Sequence, residues 1–290
     1  MKKLFTLLLC LVLVRCHQPS KEKKEEARST GTIQRIIKLK GSETVRNVVE
    51  KFIDQYSAEN PEVVLDYAGG GSVIGIMSFN ANEADIIFVS KELNSDEQEK
   101  LKSRNAVFDT LAIDGLAIII NLSNPIKQLT LKQLRGIYSG QIKNWKEVGG
   151  DNLPITLYSR DISSGTYSFF KDKVLDSVDY AGNDINLTHN EEIVNNVSST
   201  KNTIGYVGLP YAQNPSVKTI PIVFNEGEPA FFPNFQNIKA NNYKLHRFIL
   251  AIYSGKADDF VKKTIMALGS ENAFRIINES GLIPYKNNYN

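Results

Sequence analysis

The chain has 290 residues, 42% of them hydrophobic and 23% charged, enough apolar material for one large or two medium folded bodies. The formal net charge is +2; without Lys2, Lys3 and Arg15 it is −1, 31 basic against 32 acidic residues, which gives no support to nucleic-acid or polyanion binding. Cys10 and Cys16 are the only cysteines, so the rest of the chain has no disulfide and no thiol chemistry.

Residues 1–16 read as an export signal. Lys2-Lys3 is its positive end, and the apolar run 4–14 is about half the ~20 residues a membrane-spanning helix needs. The run ends Leu13-Val14-Arg15-Cys16, which resembles the lipobox of bacterial lipoproteins and makes Cys16 the expected lipidation site. Arg15 departs from that pattern, where a small residue is usual, and an ordinary signal peptide is the alternative. Residues 17–32 are rich in Lys, Glu and Ser with little apolar content, and read as a flexible tether.

From residue 33 onward, short apolar runs alternate with helical patterns. Strands are expected at 35–39, 63–67, 85–89, 116–120, 155–158, 203–207 and 218–223. Val45, Val48, Val49, Phe52, Ile53 and Tyr56 recur with helical spacing between the first two. Thr130 and Gln133 fit a capping box, on a helix closing near Gly140. The last helices are expected at 242–254, 256–268 and 271–279. The alternation argues an α/β protein with largely parallel sheets. Candidate crossing points between bodies are Asp114-Gly115 and the loop 225–233.

Arg160-Asp161-Ile162-Ser163-Ser164-Gly165-Thr166 follows one apolar run and precedes a helical pattern. A helix N-terminus has unpaired N–H groups and partial positive charge, and an arginine beside it suits a tetrahedral anion. Taken alone, the stretch reads equally well as a helix cap by Ser163 or Ser164. Three other stretches repeat the arrangement: Gly41-Ser42-Glu43-Thr44, Gly69-Gly70-Gly71-Ser72 and Ser90-Lys91. Each puts a small hydroxyl residue at the carboxyl end of an expected strand, the edge where open α/β sheets bind ligands. Together with one arginine they favour a converging anion cradle over four independent caps. Trp145 reads as packing, the Gly69–Ser72 run lacks the Lys of a P-loop, and His17, His189 and His246 form no metal-ligand pattern.

These motifs resemble those of the phosphate-binding proteins of bacterial phosphate ABC transporters. The matching positions are Gly41-Ser42-x-Thr44, Tyr67-x-Gly69-Gly70-Gly71-Ser72, Ala84-Asp85-Ile86 through Ser90, and Asp114-Gly115. They continue with Leu129-Thr130-x-x-Gln133-Leu134-x-x-Ile137-Tyr138-Ser139-Gly140-x-Ile142-x-Asn144-Trp145, Gly149-Gly150, Arg160-x-x-x-Ser164-Gly165-Thr166 and Ile204-Gly205-Tyr206-Val207. The resemblance implies an α/β, two-lobed periplasmic binding protein of type II, with mixed, mostly parallel sheets. Lobe 1 would comprise 33–115 and 224–290, and lobe 2 would comprise 116–223, with phosphate in the cleft. Its implied ligand contacts are Thr44, the Val45 amide, Ser72, Arg160, Ser164, Gly165 and Thr166, with Ser42 and Ser90 nearby.

The resemblance further implies a monomer that passes phosphate to ABC permease subunits, held to the membrane by its lipid anchor, with no cofactor, no metal, no catalytic cycle and no nucleic acid. Well-known members carry Asp directly after the serine that ends the third strand, where it accepts the phosphate proton that sulfate lacks. Here the residue is Lys91, as in another branch of the family. Asp114 is the expected replacement acceptor; the alternative is a turn-forming Asp before Gly. Lys91 is then expected to pair with Asp114 or the anion, or to be solvated. Alternatives for the whole chain are another oxyanion (sulfate, molybdate or tungstate) or a secreted hydrolase using Ser72 or Ser164.

Overall fold

A computed structural model describes residues 34–285. The expected signal, Cys16 and the tether lie outside the described residues. In chain order the elements begin with β1 (Arg35–Gly41), α1 (Arg46–Glu59), β2 (Val63–Gly70), α2 (Ser72–Asn80), β3 (Ile86–Val89), α3 (Ser95–Ser103) and β4 (Ala106–Asn121). The middle holds β5 (Leu129–Thr130), α4 (Leu131–Tyr138), β6 (Thr156–Arg160), α5 (Gly165–Lys173), β7 (Ile185–Leu187), α6 (Asn190–Ser199) and β8 (Thr203–Gly208). The chain continues through α7 (Leu209–Ala212), β9 (Val217–Ile220), β10 (Ile222–Val223), α8 (Phe235–Lys239), β11 (His246–Ser254), α9 (Asp259–Leu268), α10 (Glu271–Glu279) and β12 (Ile283–Pro284).

The main sheet runs β2-β1-β3-β11-β4-β8-β6-β7, with β9 and β12 also pairing with β4, and β5 and β10 form a separate pair. Its outer ladders, β1 with β2 and β3 and β6 with β7 and β8, are parallel, as strand–helix alternation demands. The centre is antiparallel. β4 pairs with β11 as far as Gly115, and with β8 from Leu116 onward. One long strand therefore joins the two halves of the sheet, and its partner changes at Asp114-Gly115-Leu116.

Each half is covered on both faces. Ile37, Val49, Phe52, Phe88, Ile249 and Ile276 belong to one core of the first half, and Ile76, Phe79, Ile87 and Leu101 to that on its other face. In the second half Ile118, Leu134, Trp145, Phe170 and Tyr206 pack together, while Ile119, Ile193 and Val207 fill the opposite face. Parallel strands buried on both sides read as continuous apolar runs, which is why the sequence marked them.

No helix forms over the expected 242–254; residues 246–254 are strand β11. Leu245, Phe248, Ile249 and Ile252 do have helical spacing, but a central strand rich in apolar residues produces the same apolar density. Arg247 and Ile249 point into the protein and Phe248 out, the alternation of a strand, before a bulge at Ile249/Leu250. β4 is also much longer than the expected 116–120, because Asp114-Gly115 lies inside the strand and not in a turn. The capping box of Thr130 and Gln133 forms at α4, and Gly140 takes positive φ after its end.

Candidate functional site

Four chain reversals at strand ends build the site. After β1, Gly41 has φ of 120°, and a Cβ there would lie 2.2 Å from the Phe88 carbonyl oxygen, so only glycine fits. The chain then enters a short 3-10 turn, Glu43–Val45, capped by Ser42, whose Oγ accepts from the Thr44 N–H at 3.2 Å. After β2, Gly71 has φ of 91° and delivers Ser72 as the first residue of α2. After β3, Ser90 donates its N–H to Ser72 Oγ at 3.0 Å. Ser42 Oγ donates to Ser90 Oγ at 2.7 Å, tying the three serines into one chain.

The fourth reversal comes from the other half of the sheet. β6 ends at Arg160, and Ser164 caps α5 by accepting from the Thr166 and Tyr167 N–H groups at 3.1 and 3.4 Å. The cap and the anion grip are thus one structure, since the helix end that Ser164 closes is also a source of positive potential. A Cβ on Gly165 would lie 2.3 Å from Ser72 Oγ, so the α5 N-terminus abuts the serine chain. Ser163 Oγ donates to Gly70 O at 2.9 Å, and Val73 N–H donates to Ser163 O at 3.0 Å. Thr44 and Thr166 Oγ1 stand 3.4 Å apart. Ser42, Thr44, Val45, Ser72, Ser90, Asp114, Arg160, Ser164, Gly165 and Thr166 are all buried.

Arg160 is buried and held by main-chain oxygens alone: Nε donates to Leu187 O at 3.2 Å and Nη2 donates to Thr188 O. Its Nη1 has no protein partner. A second arginine, Arg247 of β11, enters the same place. Its Nη2 donates to Thr166 Oγ1 at 2.9 Å, to Asp114 Oδ2 at 2.8 Å and to Thr44 Oγ1 at 3.3 Å. Its Cζ lies 5.2 Å from the Phe169 ring centroid, and Nε and Nη1 are buried without a partner. Burial lowers the pKa of both guanidiniums; Arg247 also lowers that of Arg160, while Asp114 acts to raise that of Arg247. Two neighbouring buried cations with unsatisfied N–H atoms form a strong anion-binding arrangement.

Residues 24–269 match the family model described as the PBP superfamily domain. The chain belongs to the PBP superfamily, among its PstS-like members. It is 30% identical over 255 residues to the phosphate-binding protein PstS of Staphylococcus epidermidis, covering 85% of this chain and 78% of that one. It is 29% identical over 261 residues to PstS of Borreliella burgdorferi, covering 87% and 91%. Among solved structures, the ABC-type phosphate transport receptor of Vibrio cholerae matches with a TM-score of 0.71 and 32% identity, over 86% of this chain and all of that one. A Clostridium perfringens protein crystallised with bound phosphate matches with a TM-score of 0.77 and 28% identity, over 87% and 100%. The curled α/β sheet is that of the two-lobed periplasmic binding proteins.

Within this family frame one expectation needs correction. Lys91 pairs neither with Asp114 nor with an anion position; its Nζ donates to both Glu97 carboxylate oxygens, at 2.7 and 2.8 Å. Glu97 also accepts from Asn94 N–H in the capping box of α3, so a local helix start fixes the lysine's direction. Asp114 is fully buried and both its oxygens are engaged, Oδ1 by Leu209 N–H at 2.9 Å and Oδ2 by Arg247. Burial raises the Asp114 pKa, and Arg247 and the Leu209 N–H oppose that rise.

Sequence reading missed Arg247, because a helix was expected there and no motif surrounds it. Among the expected strand edges, only the alternation Arg247, Ile249, Ala251 could have marked it. Glu43 was also missed. It accepts from Gly70 N–H at 2.6 Å and from Arg46 at 2.7 and 2.9 Å, and His189 Nδ1 stands 3.3 Å away. Tyr211 donates to its main-chain oxygen at 2.9 Å, so the turn carrying Thr44 is fixed from both halves of the sheet.

Proposed function

We propose that this chain binds inorganic phosphate in the cradle between the two halves of the sheet and delivers it to an ABC importer from outside the cytoplasm. The observation that carries this reading is the pair of buried guanidiniums, Arg160 and Arg247, whose unpartnered N–H atoms stand with the α5 N-terminus. Arg160, Arg247, Ser72, Ser90, Ser164, Gly165, Thr166, Thr44 and the Val45 amide are the phosphate contacts, and Ser42 orients Ser90. Asp114 is a positioning residue that holds Arg247. The names of the relatives, PstS and phosphate transport receptor, support the ligand and the transport setting.

In this reading lobe 1 holds 33–115, and the return crossing lies at Leu245/His246 rather than at 224, because Ile238, Tyr243 and Leu245 pack with Ile118 and Leu134. Lobe 2 is then 116–245. Cys16 carries the lipid that holds the monomer at the membrane. The cycle is binding, closure, docking and release, without chemistry: the contacts of His189 and His246 are with Glu43 and the Tyr243 carbonyl, not with Ser72 or Ser164. Calorimetry of phosphate into the protein is expected to give one-to-one binding. No heat and no thermal stabilisation up to millimolar phosphate would refute the reading.

A further inference from the structure

A buried polar atom without a partner is costly, and each one calls for an explanation. Among the described residues, Asn80 Oδ1 is one such atom; the others are Arg160 Nη1, Arg247 Nε and Nη1, Asp161 Oδ2, and both Nδ2 and Oδ1 of Asn190. The two arginines and Asp161 belong to the cradle and to the reversal that builds it. Asn190 lies outside every motif of the sequence, and it is fully buried with neither side of its amide paired.

Asn190 opens α6, and the residues just before it tie that helix start to the site. Leu187 O accepts from Arg160 Nε at 3.2 Å, and Thr188 O accepts from Arg160 Nη2. His189 Nδ1 stands 3.3 Å from Glu43 Oε2, and Glu43 begins the turn that carries Thr44. The segment leading into Asn190 therefore meets Arg160 in one half of the sheet and the Thr44 turn in the other.

Helix formation does not account for the asparagine. The N-cap of α6 is His189, whose N–H donates to the Glu192 carboxylate at 2.9 Å, so Asn190 is not the capping residue. An unpaired buried amide has lost its hydration and gained nothing in return. A ligand in the cradle removes that conflict. Nδ2 carries two N–H donors and Oδ1 is an acceptor, and a phosphate offers both bare oxygens and a hydroxyl.

We propose that Asn190 is a further phosphate-binding residue, whose side-chain amide donates to an oxygen of the anion held by Arg160. The proposal rests on the phosphate reading of the cradle and adds a neutral contact to its two cations.

The test compares the full chain with Asn190→Leu and Asn190→Ala. Calorimetric titration with phosphate at neutral pH reads affinity, and urea unfolding without phosphate reads stability. Asn190→Leu fills the place and removes both polar atoms, while Asn190→Ala guards against overpacking by the larger leucine. Loss of a hydrogen bond to a charged group should weaken phosphate binding by about 10–100-fold in each variant. The urea midpoint of the unliganded protein should hold, because no bond is lost in that state. Affinity within about threefold of the unaltered chain in both variants would overturn the proposal and leave the phosphate reading standing. A lowered midpoint with affinity kept would overturn it in the same way and mark Asn190 as structural. Absence of phosphate binding by the unaltered chain would overturn both.

Discussion

Arg160 and Arg247 reach the same cradle from opposite kinds of structure. Arg160 stands at a strand end, its guanidinium held by the main-chain oxygens of Leu187 and Thr188, which are neutral. Arg247 lies near the start of a central strand and is held by the buried carboxylate of Asp114. The first arginine donates to no carboxylate and feels Asp161 and Glu43 only through space; the second is directly paired with a carboxylate that also fixes its position. Removing each should therefore fail differently, one in binding and one in folding.

The largest expected effect is on folding. Asp114→Ala strands the Arg247 cation in a fully buried place and should cost about 3–5 kcal/mol of stability, read by urea unfolding of the unliganded protein. A loss under about 1 kcal/mol would show that Arg247 does not depend on Asp114. Arg160→Met should act mainly on binding. It removes a buried charge that donates to no carboxylate and is met by Asp161 and Glu43 only through space, so unliganded stability should fall less than in Asp114→Ala, while phosphate affinity falls by roughly 10–100-fold. Equal damage to both properties in both variants would erase the distinction.

Glu43 extends the comparison to pH, because it supports the turn that carries Thr44, an Arg247 partner. Burial pushes its carboxyl up, but Arg46, the Gly70 N–H and His189 outweigh that and hold it below the usual 4.5. A depressed folded value means the stabilisation is fully present above about pH 4.5 and is lost as pH falls through the folded value. Urea midpoints measured against pH should drop on that acid limb, and Glu43→Gln should flatten it.

Smaller effects are expected further from the charges. Ser164→Ala should cost about 1 kcal/mol through the lost cap on α5, together with a modest loss of phosphate affinity. Lys91→Met should cost about 1 kcal/mol or less, since it breaks only the Glu97 pair, and should leave phosphate affinity within about threefold. A large affinity loss in that variant would put Lys91 back beside the anion.

Legibility in the sequence followed the range of the interactions. The reversal from Arg160 to Thr166 was readable because strand, cap, glycine and helix lie within seven residues, and each leaves a local mark. The same holds for Ser42, Ser72 and Ser90, whose glycines or apolar strands flank them. Asp114 was found as a residue of interest, but its partner was not, since Asp114 and Arg247 are 133 positions apart. Lys91 was assigned the wrong partners because the capping box six residues ahead, at Glu97, was given no weight against the distant Asp114.

By itself, the sequence determined the α/β alternation, the four strand-end hydroxyl sites and the family, because apolar period, glycine and capping residues act through neighbouring backbone. Tertiary structure alone decided that 246–254 is a strand, since a segment of that apolar density becomes a strand when it is inserted between β3 and β4. That insertion brings Arg247 to Asp114 and to the two threonines. Which groups of the site donate and which accept depends on hydrogen bonds between residues distant in the chain, and those exist only once the two halves of the sheet meet.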